Sequence, residues 1–455
     1  MKYIFLVNYS VKGIKTLEEL VSLSFYKKTI SKDPDTQAYN VKGIYGMNGS
    51  GKSGIITSVN VLKNILVNPE YLNSLTEQKN LNEIINKKLQ ELTIEADFIA
   101  RFPETILYFR YQMKLSKNQM EKYVISREAF YVRKSNARDD SMESVFTIEN
   151  GEIQYLSDEN SQFSKMMQQR TTNLLGSASF CALFFEKFLL AGAGRDESNR
   201  NHVFRMLEAL FTFGRKLHVF LDQADDHKDF FVRNTLRYMD AKESNESRMD
   251  LLMSRVAEAN TEQLGIIRVS YNIVGIDNYA DFETAVSNLY DFIHIFKFDL
   301  KGIEIDKRED RGFYLCNLVM IYDSYKIHAE FESTGIKKLI RLYAYFREIV
   351  RGGIVFIDEL DSNLHDVYLC ALLEYLMEYA EGQLCFTTHN VGPMDILRRN
   401  KKSIDFLSTD GKVYPWTTNG NYSPSNLYRK GMIEGSPFNV DSIDFIGIFG
   451  SGEDE

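Results

Sequence analysis

Cysteine is scarce in this sequence, and the cysteines that are present show no pattern. The 455 residues include four of them, Cys181, Cys316, Cys370 and Cys385, with no CxxC pair and no His/Cys cluster at zinc spacing. A disulfide framework and a zinc finger are therefore not indicated. We expect these cysteines to be reduced thiols, as is usual for a cytoplasmic protein.

Long uninterrupted apolar runs are also missing. The longest apolar stretch, FCALFFEKFLLAGAG, is broken by Glu186 and Lys187, so it does not predict a membrane span. The N-terminal stretch MKYIFLVNYS has one lysine and a short apolar run, which favours a first β-strand over a secretion signal. The sequence therefore predicts a soluble, cytoplasmic protein with no membrane partner.

Positive charge is in deficit. Lysine and arginine number 54 against 63 aspartates and glutamates, which gives a formal net charge of −9. A chain with this balance does not bind nucleic acid through bulk electrostatics, so a nucleic-acid partner would need a local basic patch. Hydrophobic residues make up 44% and charged residues 26%, which is typical of a globular protein.

Three segments differ in their apolar periodicity. Residues 41–158 read as strand, helix and then a mostly antiparallel sheet; residues from about 160 to 300 have helical periodicity without sustained heptads. From residue 302 onward strands come first, and buried strands then alternate with helices, as in a parallel sheet covered by helices. The pattern predicts an α/β fold with mixed antiparallel and parallel sheets, flanking helices and an α-helical insertion.

These segments predict a domain organisation. We expect an N-terminal lobe over 1–160, a helical insertion over 161–300 that serves as an oligomer or partner surface, and a C-terminal lobe over 301–455. The two lobes would form one catalytic head, from which the insertion projects.

The stretch GMNGSGKS fits the phosphate-loop pattern G-x-x-x-x-G-K-[ST], between a predicted strand and a predicted helix. Backbone N–H groups of such a loop point inward at a helix N-terminus, which favours phosphate. Lys52 would reach the β- and γ-phosphates of ATP, and Ser53 would ligate Mg²⁺. The alternative is a glycine-rich turn with a solvated lysine. The predicted nucleotide-binding residues are Gly46, Asn48, Gly49, Ser50, Gly51, Lys52, Ser53 and Gly54.

Two later strands end in residues that suit nucleotide hydrolysis. IVFIDE ends in Asp358, which would join the Mg²⁺ shell, and Glu359, which would act as general base on the attacking water. FTTHN brings His389 to the end of the next strand, where a neutral imidazole can position the γ-phosphate and that water. The alternatives are two acids that face solvent and a histidine with a local hydrogen bond.

The order of these motifs resembles that of ABC-type ATPase heads. More closely, ESTGIKKL, DELDSNLH and FTTHN resemble motifs of the AAA15 and OLD-like ATPases of bacterial anti-phage and abortive-infection systems, and the C-terminal stretch YRKGMIEGSPF is similar to their tail. The ATPase subunits of the PARIS and Septu systems are proteins of this kind. The resemblance covers the two end segments and does not reach the helical middle.

This resemblance implies roles for further residues. ESTGIKKL would be the signature motif, so that Ser333 and the Gly335 N–H meet the γ-phosphate held by a second subunit; the alternative is a plain N-capped helix. Asp361 would lie in the loop that crosses between subunits. Gln112 would sense Mg²⁺, and Asn8 and Lys12 would lie beside the nucleotide ribose or base. One phosphate loop and one signature per chain then imply a homodimer or a higher oligomer.

The implied function is an ATP-driven switch in anti-phage defence, which controls a separate effector such as a nuclease. The alternative is a DNA-repair or recombination ATPase of the RecF or SMC-like type. The stretch between Ser53 and Ser333 lacks the heptads of long coiled-coil arms, and the stretch after His389 is too short for an OLD nuclease domain. A transporter motor is disfavoured by the form of the signature and by the lack of a membrane span.

Overall fold

The computed structural model describes residues 3–27, 29–31, 34–136, 140–190, 202–221, 265–310, 312–400, 402–417 and 422–436. In these residues the chain forms three sheets with helices against them. No helix in the described ranges combines the length and the apolar character that crossing a bilayer requires.

The largest sheet has seven antiparallel strands in the order β2-β1-β4-β5-β6-β7-β8. Its inner face is almost fully apolar, and Phe98, Phe109 and Phe130 stack across three neighbouring strands. Cross-strand pairs of this kind are the main source of sheet stability. The strands are β1 (Ile4–Lys12), β2 (Val21–Ser24), β4 (Glu91–Arg101), β5 (Ile106–Lys117), β6 (Tyr123–Lys134), β7 (Glu143–Glu149) and β8 (Glu152–Leu156).

The second sheet has six strands in the order β17-β16-β3-β15-β14-β9, all parallel except β17. Its central strands are buried along their whole length, which explains their continuous apolar sequences. The strands are β3 (Val41–Tyr45), β9 (Leu217–Phe220), β14 (Ile354–Ile357), β15 (Gln383–Thr387), β16 (Ile404–Leu407) and β17 (Val413–Pro415).

The third sheet is small and antiparallel. Its strands are β10 (Asn272–Gly275), β11 (Gly302–Asp310), β12 (Phe313–Ile321) and β13 (Lys326–His328). β12 pairs with the other three. The apolar face of this sheet shares a core with helix α6 (Tyr279–Phe296) and the first half of helix α7 (Thr334–Val350).

Serine begins five of the ten α-helices in the described part of the chain, because its hydroxyl oxygen accepts a backbone N–H of the first turn. The helices are α1 (Lys52–Val67), α2 (Leu75–Ile84), α3 (Gln162–Thr171), α4 (Phe180–Phe184), α5 (His202–Lys216), α6 (Tyr279–Phe296), α7 (Thr334–Val350), α8 (Asp366–Tyr379), α9 (Met394–Leu397) and α10 (Pro424–Arg429). A π-helical turn follows α4 over Phe185–Leu190.

Helix α1 lies between the antiparallel and the parallel sheet. On one side, Ser58 and Tyr9 of β1 share a 2.7 Å hydrogen bond between their hydroxyls. On the other side, α1 packs against β9 and β14. The two sheets are also joined directly, since the Gln383 side chain accepts from Leu6 N at 2.7 Å and donates to Leu6 O at 3.0 Å. The helix that follows the phosphate loop is therefore held on both sides.

The structure confirms the predicted α/β class with mixed sheets and flanking helices. The middle of the chain differs from the predicted helical insertion at residues 161–300. Its strand β9 is part of the parallel sheet, and its helices α3 to α5 share the core of α1 and the antiparallel sheet. The stretch MDLLMSRVAEANTEQL, which falls within the predicted insertion, lies outside the described residues.

Candidate functional site

The phosphate loop connects β3 to α1 and has no room for side chains at two of its glycines. A Cβ atom at Gly46 would lie 2.3 Å from the Leu407 carbonyl oxygen. Gly51 is the N-cap of α1 at φ 101°, where a Cβ would meet Leu17 at 2.4 Å. The glycine pattern recognised in the sequence is thus required by the backbone and its neighbours.

Lys52 is buried inside this loop. Its Nζ donates hydrogen bonds to the carbonyl oxygens of Gly46 at 2.8 Å and Met47 at 3.0 Å. Burial lowers the pKa of Lys52 to about 8, against the opposing effect of three carboxylates, Asp358, Glu359 and Asp361. The ammonium group is therefore poorly solvated and is placed where an anionic ligand would replace lost water.

Two further polar atoms in this region lack a hydrogen-bond partner among the described residues. They are Ser50 Oγ in the loop and Asp361 Oδ1 beyond β14, and both are buried. Buried polar atoms are nearly always satisfied in folded proteins. The pair therefore marks a place where a ligand with donors and acceptors fits.

Asp358 and Glu359 directly follow strand β14, and the side chain of Thr387 hydrogen-bonds to both of them. Thr387 Oγ1 donates to Asp358 Oδ1 at 2.6 Å and accepts from Glu359 N at 2.8 Å. Glu359 has a left-handed backbone at φ 46°, which is unfavourable for a non-glycine residue by about 1–3 kcal/mol. Such strain persists only where neighbours fix it, and here the Thr387 hydroxyl and Lys338 Nζ hold the N–H and the carbonyl oxygen of Glu359.

His389 follows β15 and is exposed. Partial burial and the Lys52 ammonium lower its pKa, while Asp361 and Glu359 oppose the shift. These interactions place the imidazole in the same electrostatic environment as Lys52 and the carboxylates. The net lowering of its pKa favours the neutral imidazole.

Helix α7 begins beside the loop that follows β14. A Cβ atom at Gly335 would lie 2.5 Å from the Asn363 carbonyl oxygen, and Thr334 Oγ1 donates to Asn363 Oδ1 at 3.2 Å. Lys338 Nζ donates to the Glu359 carbonyl oxygen and to Ser362 Oγ. The start of α7 and the turn at Glu359 are thus joined within one chain.

Ser333 caps helix α7 and is exposed. Its Oγ accepts from Ile336 N at 3.4 Å, and its own N–H donates to the Glu332 carboxylate at 3.3 Å. Its carbonyl oxygen accepts from Lys337 N at 3.0 Å, and in the described part of the chain none of its hydrogen bonds goes to the phosphate loop. The N-cap geometry weighed as the alternative is therefore present, and it leaves the helix tip facing solvent.

Gln112 is not brought to this site. It lies in β5 opposite Glu95, and its amide donates to that carboxylate at 2.5 Å. The neighbouring Tyr111 is buried on the inner face of the sheet, towards α1, and side chains alternate along a strand, so Gln112 faces the other side. The predicted Mg²⁺-sensing role of Gln112 is therefore not supported by its position.

Asn8 and Lys12 were also candidates for the ribose or base. Asn8 Nδ2 instead donates to Asp97 Oδ2 at 3.2 Å on the outer face of the antiparallel sheet. The residues of this region that reach the phosphate loop come slightly later, in the turn after β1. Thr16 Oγ1 lies 3.4 Å from the Gly49 carbonyl oxygen, and Leu17 packs on Gly51.

Sequence reasoning missed Thr16, Leu17 and Thr387 as parts of the site. Thr387 stands inside the recognised FTTHN motif, and its place two residues before His389 at a strand end was the available signal. Thr16 and Leu17 carry no such signal, since their proximity to the loop depends on how β1 pairs in the large sheet.

The donor atoms present suit Mg²⁺, which prefers oxygen ligands from one or two side chains together with phosphate and water. Ser53 at the start of α1 and Asp358 at the end of β14 supply a hydroxyl and a carboxylate. No cluster of three or more His, Cys, Asp or Glu side chains suited to a metal is found in the described ranges. A Mg²⁺ ion here would thus depend on the nucleotide for its remaining ligands.

Comparison with known proteins gives one family match. Residues 276–395 match a family model described as "AAA domain, putative AbiEii toxin, Type IV TA system". This range contains Ser333, Asp358, Glu359 and His389 but not the phosphate loop. It supports an AAA-type ATPase domain. No curated protein matches the chain significantly.

Solved structures similar to the chain include two of the recombination mediator protein RecF in the RecFOR pathway, one named RecF-ATP and one named RecF-ATPrS. Each is 13% identical, covers 91% of this chain and 99% of its own, and has a TM-score of 0.34.

Proposed function

We propose that this protein binds and hydrolyses ATP with Mg²⁺ and acts as a molecular switch. The observation that carries the proposal is the convergence of Lys52, Asp358, Glu359 and His389 at the carboxyl ends of three adjacent parallel strands, β3, β15 and β14. Ligands of open parallel sheets bind at this edge.

The roles follow from the chemistry of each group. The loop N–H groups at the start of α1 and the Lys52 ammonium suit the triphosphate, and Ser53 and Asp358 suit its Mg²⁺. When bound, Mg²⁺ would neutralise charge that develops on the phosphate oxygens. Glu359 is the general base, because it is the carboxylate next to Asp358 whose charge acts on both Lys52 and His389. Neutral His389 orients the γ-phosphate.

We propose further that the active unit is a head-to-head homodimer or a higher oligomer. The exposed tip of α7, with Ser333 as its cap, makes no hydrogen bond to the phosphate loop among the described residues. A helix N-terminus attracts phosphate, so the tip suits the nucleotide of a second copy. ATP would then join two subunits, and hydrolysis would release them.

The cellular role that we propose is regulation of a separate effector, such as a nuclease, in anti-phage defence. The motif resemblance supports this role, and the family model that matches residues 276–395 is described as a putative AbiEii toxin of a Type IV TA system. Measurement of ATPase activity with and without duplex DNA tests it against a repair ATPase of the RecF or SMC-like type. Strong stimulation by DNA would favour repair.

Mixing two inactive variants tests the shared site. Lys52→Ala should abolish ATP binding, and Ser333→Arg should spare binding but stop turnover. In a mixed dimer, the Ser333→Arg chain supplies an intact phosphate loop and the Lys52→Ala chain supplies an intact helix tip. Random pairing should restore about a quarter of wild-type activity, since half of the dimers regain one of two sites. A mixture as inactive as its components would exclude the shared site.

A further inference from the structure

The exposed tip of helix α7 already holds an anion, the carboxylate of Glu332. Its Oε2 atom accepts from Ser333 N at 3.3 Å, and Ser333 is the cap of the helix. A helix N-terminus carries partial positive charge, so a carboxylate is favourable at this place. Glu332 therefore lies beside the position that the proposed function gives to the triphosphate of a second copy.

A buried tyrosine holds the other oxygen of this carboxylate. The Tyr322 hydroxyl donates to Glu332 Oε1. Tyr322 is 6% exposed and directly follows β12, and its N–H donates to the Tyr325 carbonyl oxygen at 2.9 Å. The backbone of Glu332 is fixed as well, since its N–H donates to the Ala329 carbonyl oxygen at 3.1 Å. The carboxylate is thus bound at both oxygens on a rigid support.

The charge of Glu332 is not neutralised by a basic side chain within the described ranges. Its two carboxylate hydrogen bonds come from a tyrosine hydroxyl and a backbone N–H. Lys337, in the first turns of α7, is directed away, because its Nζ donates to the Glu330 carbonyl oxygen at 3.2 Å. A phosphate that approaches Ser333 would therefore meet a full negative charge at short range.

We propose that Glu332 competes with the triphosphate of a second copy for the tip of α7 and so sets the ATP concentration at which two copies join. The inference rests on the proposed function and adds regulation to it. In the separate chain, the carboxylate satisfies the Ser333 N–H. When a partner's nucleotide binds, Glu332 is displaced or repels the phosphate. Tyr322 strengthens the competition, because its hydrogen bond keeps the carboxylate at the tip.

The first test compares Glu332→Gln with Glu330→Gln. Glutamine keeps an oxygen that accepts hydrogen bonds but has no charge. Glu330 is the matched control, since it is exposed, precedes Glu332 by two residues, and its carboxylate accepts from Ser270 Oγ at 2.8 Å. Both changes are made in a chain that carries Glu359→Gln, so that ATP is not consumed. Analytical ultracentrifugation with Mg²⁺ then gives the ATP concentration at which half of the chains are dimeric.

Glu332→Gln should lower this ATP concentration by about 5-fold or more, and Glu330→Gln should change it by less than about 2-fold. A 5-fold change corresponds to about 1 kcal/mol, the Coulomb energy of two unit charges about 4 Å apart in water. The advantage of Glu332→Gln should shrink in about 1 M salt, where the Debye length is about 3 Å. An effect of shape alone would not respond to salt in this way.

Tyr322→Phe tests the hold on the carboxylate. Tyr325→Phe is its control, because the Tyr325 ring stacks on Tyr322 at 4.7 Å but its hydroxyl has no hydrogen bond to a residue that the structure describes. Tyr322→Phe should also lower the ATP concentration for dimer formation, and Tyr325→Phe should not. In a chain that already carries Glu332→Gln, Tyr322→Phe should have no further effect, since the charge that it holds is gone.

The outcomes separate this inference from the proposed function. Dimer formation that Glu332→Gln leaves equal to that of Glu330→Gln, or weakens, would overturn the competition and leave the proposed dimer standing. A Glu359→Gln chain that binds ATP but stays monomeric at every ATP concentration would overturn both the competition and the proposed dimer. A chain that binds no ATP would overturn the proposed function itself.

Discussion

Lys338 of helix α7 donates a hydrogen bond to the backbone carbonyl oxygen of Glu359, so one buried ammonium joins the exposed helix tip to the proposed general base. Ser333 lies one turn and a half before Lys338 on the same helix. A nucleotide held at the helix tip by a second subunit can therefore influence the Glu359 turn of the chain that supplies the tip.

This link predicts the effect of Lys338→Met, which keeps the length and apolar stem of the side chain. Without its anchor, the strained turn at Glu359 should lose its orientation, and turnover should fall by about 10-fold, while ATP affinity stays within about 2-fold. Single-turnover hydrolysis and equilibrium binding measure the two quantities. Lys216→Met is the control, because Lys216 donates to the Gly352 carbonyl oxygen at the opposite end of the sheet. Similar turnover in both variants would contradict the link.

Thr387→Val tests the hydrogen bonds that hold Asp358 and Glu359. The change is nearly isosteric and leaves a buried carboxylate oxygen and a backbone N–H without these partners, so the free energy of unfolding should fall by about 1–3 kcal/mol. ATPase turnover should fall with it. Urea denaturation and steady-state kinetics check the two effects. Thr388→Val is the matched control, since Thr388 is equally buried and, in the described part of the chain, its hydroxyl accepts only from Asn390 N. Equal losses of turnover would argue against a special role for Thr387.

The pKa of Lys52, about 8 in the folded protein, gives a prediction for stability without nucleotide. In the unfolded chain the pKa of this lysine is near its ordinary value of 10.5, so the unfolded chain binds more protons than the folded chain between about pH 8 and 10.5. Wild-type stability should therefore rise across this window, and Lys52→Met should lack that rise. At pH 7, Lys52→Met should have the higher Tm and yet bind no ATP. Thermal unfolding of the wild type and the variant at pH 7 and 10 measures the rise and the difference in Tm. A lower Tm for the variant at pH 7 would contradict the inference that burial of this ammonium is destabilising.

Burial of Glu128 predicts that the stability of the protein changes with pH in the opposite direction. Its carboxylate accepts from Phe180 N at 2.9 Å and from the Tyr111 hydroxyl at 3.0 Å, and burial raises its pKa to about 7. In the unfolded chain the group is ionised above about pH 4.5, so the folded chain binds the extra proton between these values. Wild-type stability should fall as the pH rises from about 4.5 to 7.

Glu128→Gln should abolish this part of the pH dependence and raise the Tm at pH 8 relative to the wild type. Thermal unfolding at pH 5 and 8 measures the difference. A pH slope that is unchanged in the variant would show that Glu128 does not titrate in the folded protein.

Local motifs allowed much of the site to be predicted from the sequence. The phosphate loop, Asp358, Glu359 and His389 each stand at the end of a short buried strand, and the carboxyl ends of neighbouring parallel strands meet at one edge. Spacing along the chain therefore sufficed to place these residues together. The alternation of strands and helices after residue 302 likewise gave the mixed α/β class.

Features that depend on long-range pairing were not accessible in this way. Strand β9 has four residues and directly follows the amphipathic helix α5, so its apolar pattern continues that of the helix. The prediction that placed Gln112 at the site has a similar cause, because the face of a sheet on which a residue lies depends on the register of its strand with the neighbouring strands. The contact between the rings of Tyr428 and Tyr45 joins segments far apart in the chain, and no local pattern encodes it.

The position of β3 between β15 and β16 has a consequence for synthesis of the protein. The strand that carries the phosphate loop is translated early, yet the two strands that flank it are complete only at residue 387 (β15) and residue 407 (β16). A nascent chain that stalls before residue 383 has a complete glycine-rich loop but neither of the strands that flank β3. We expect such truncated products to be inert towards ATP, so that an incomplete copy does not compete for nucleotide in the cell.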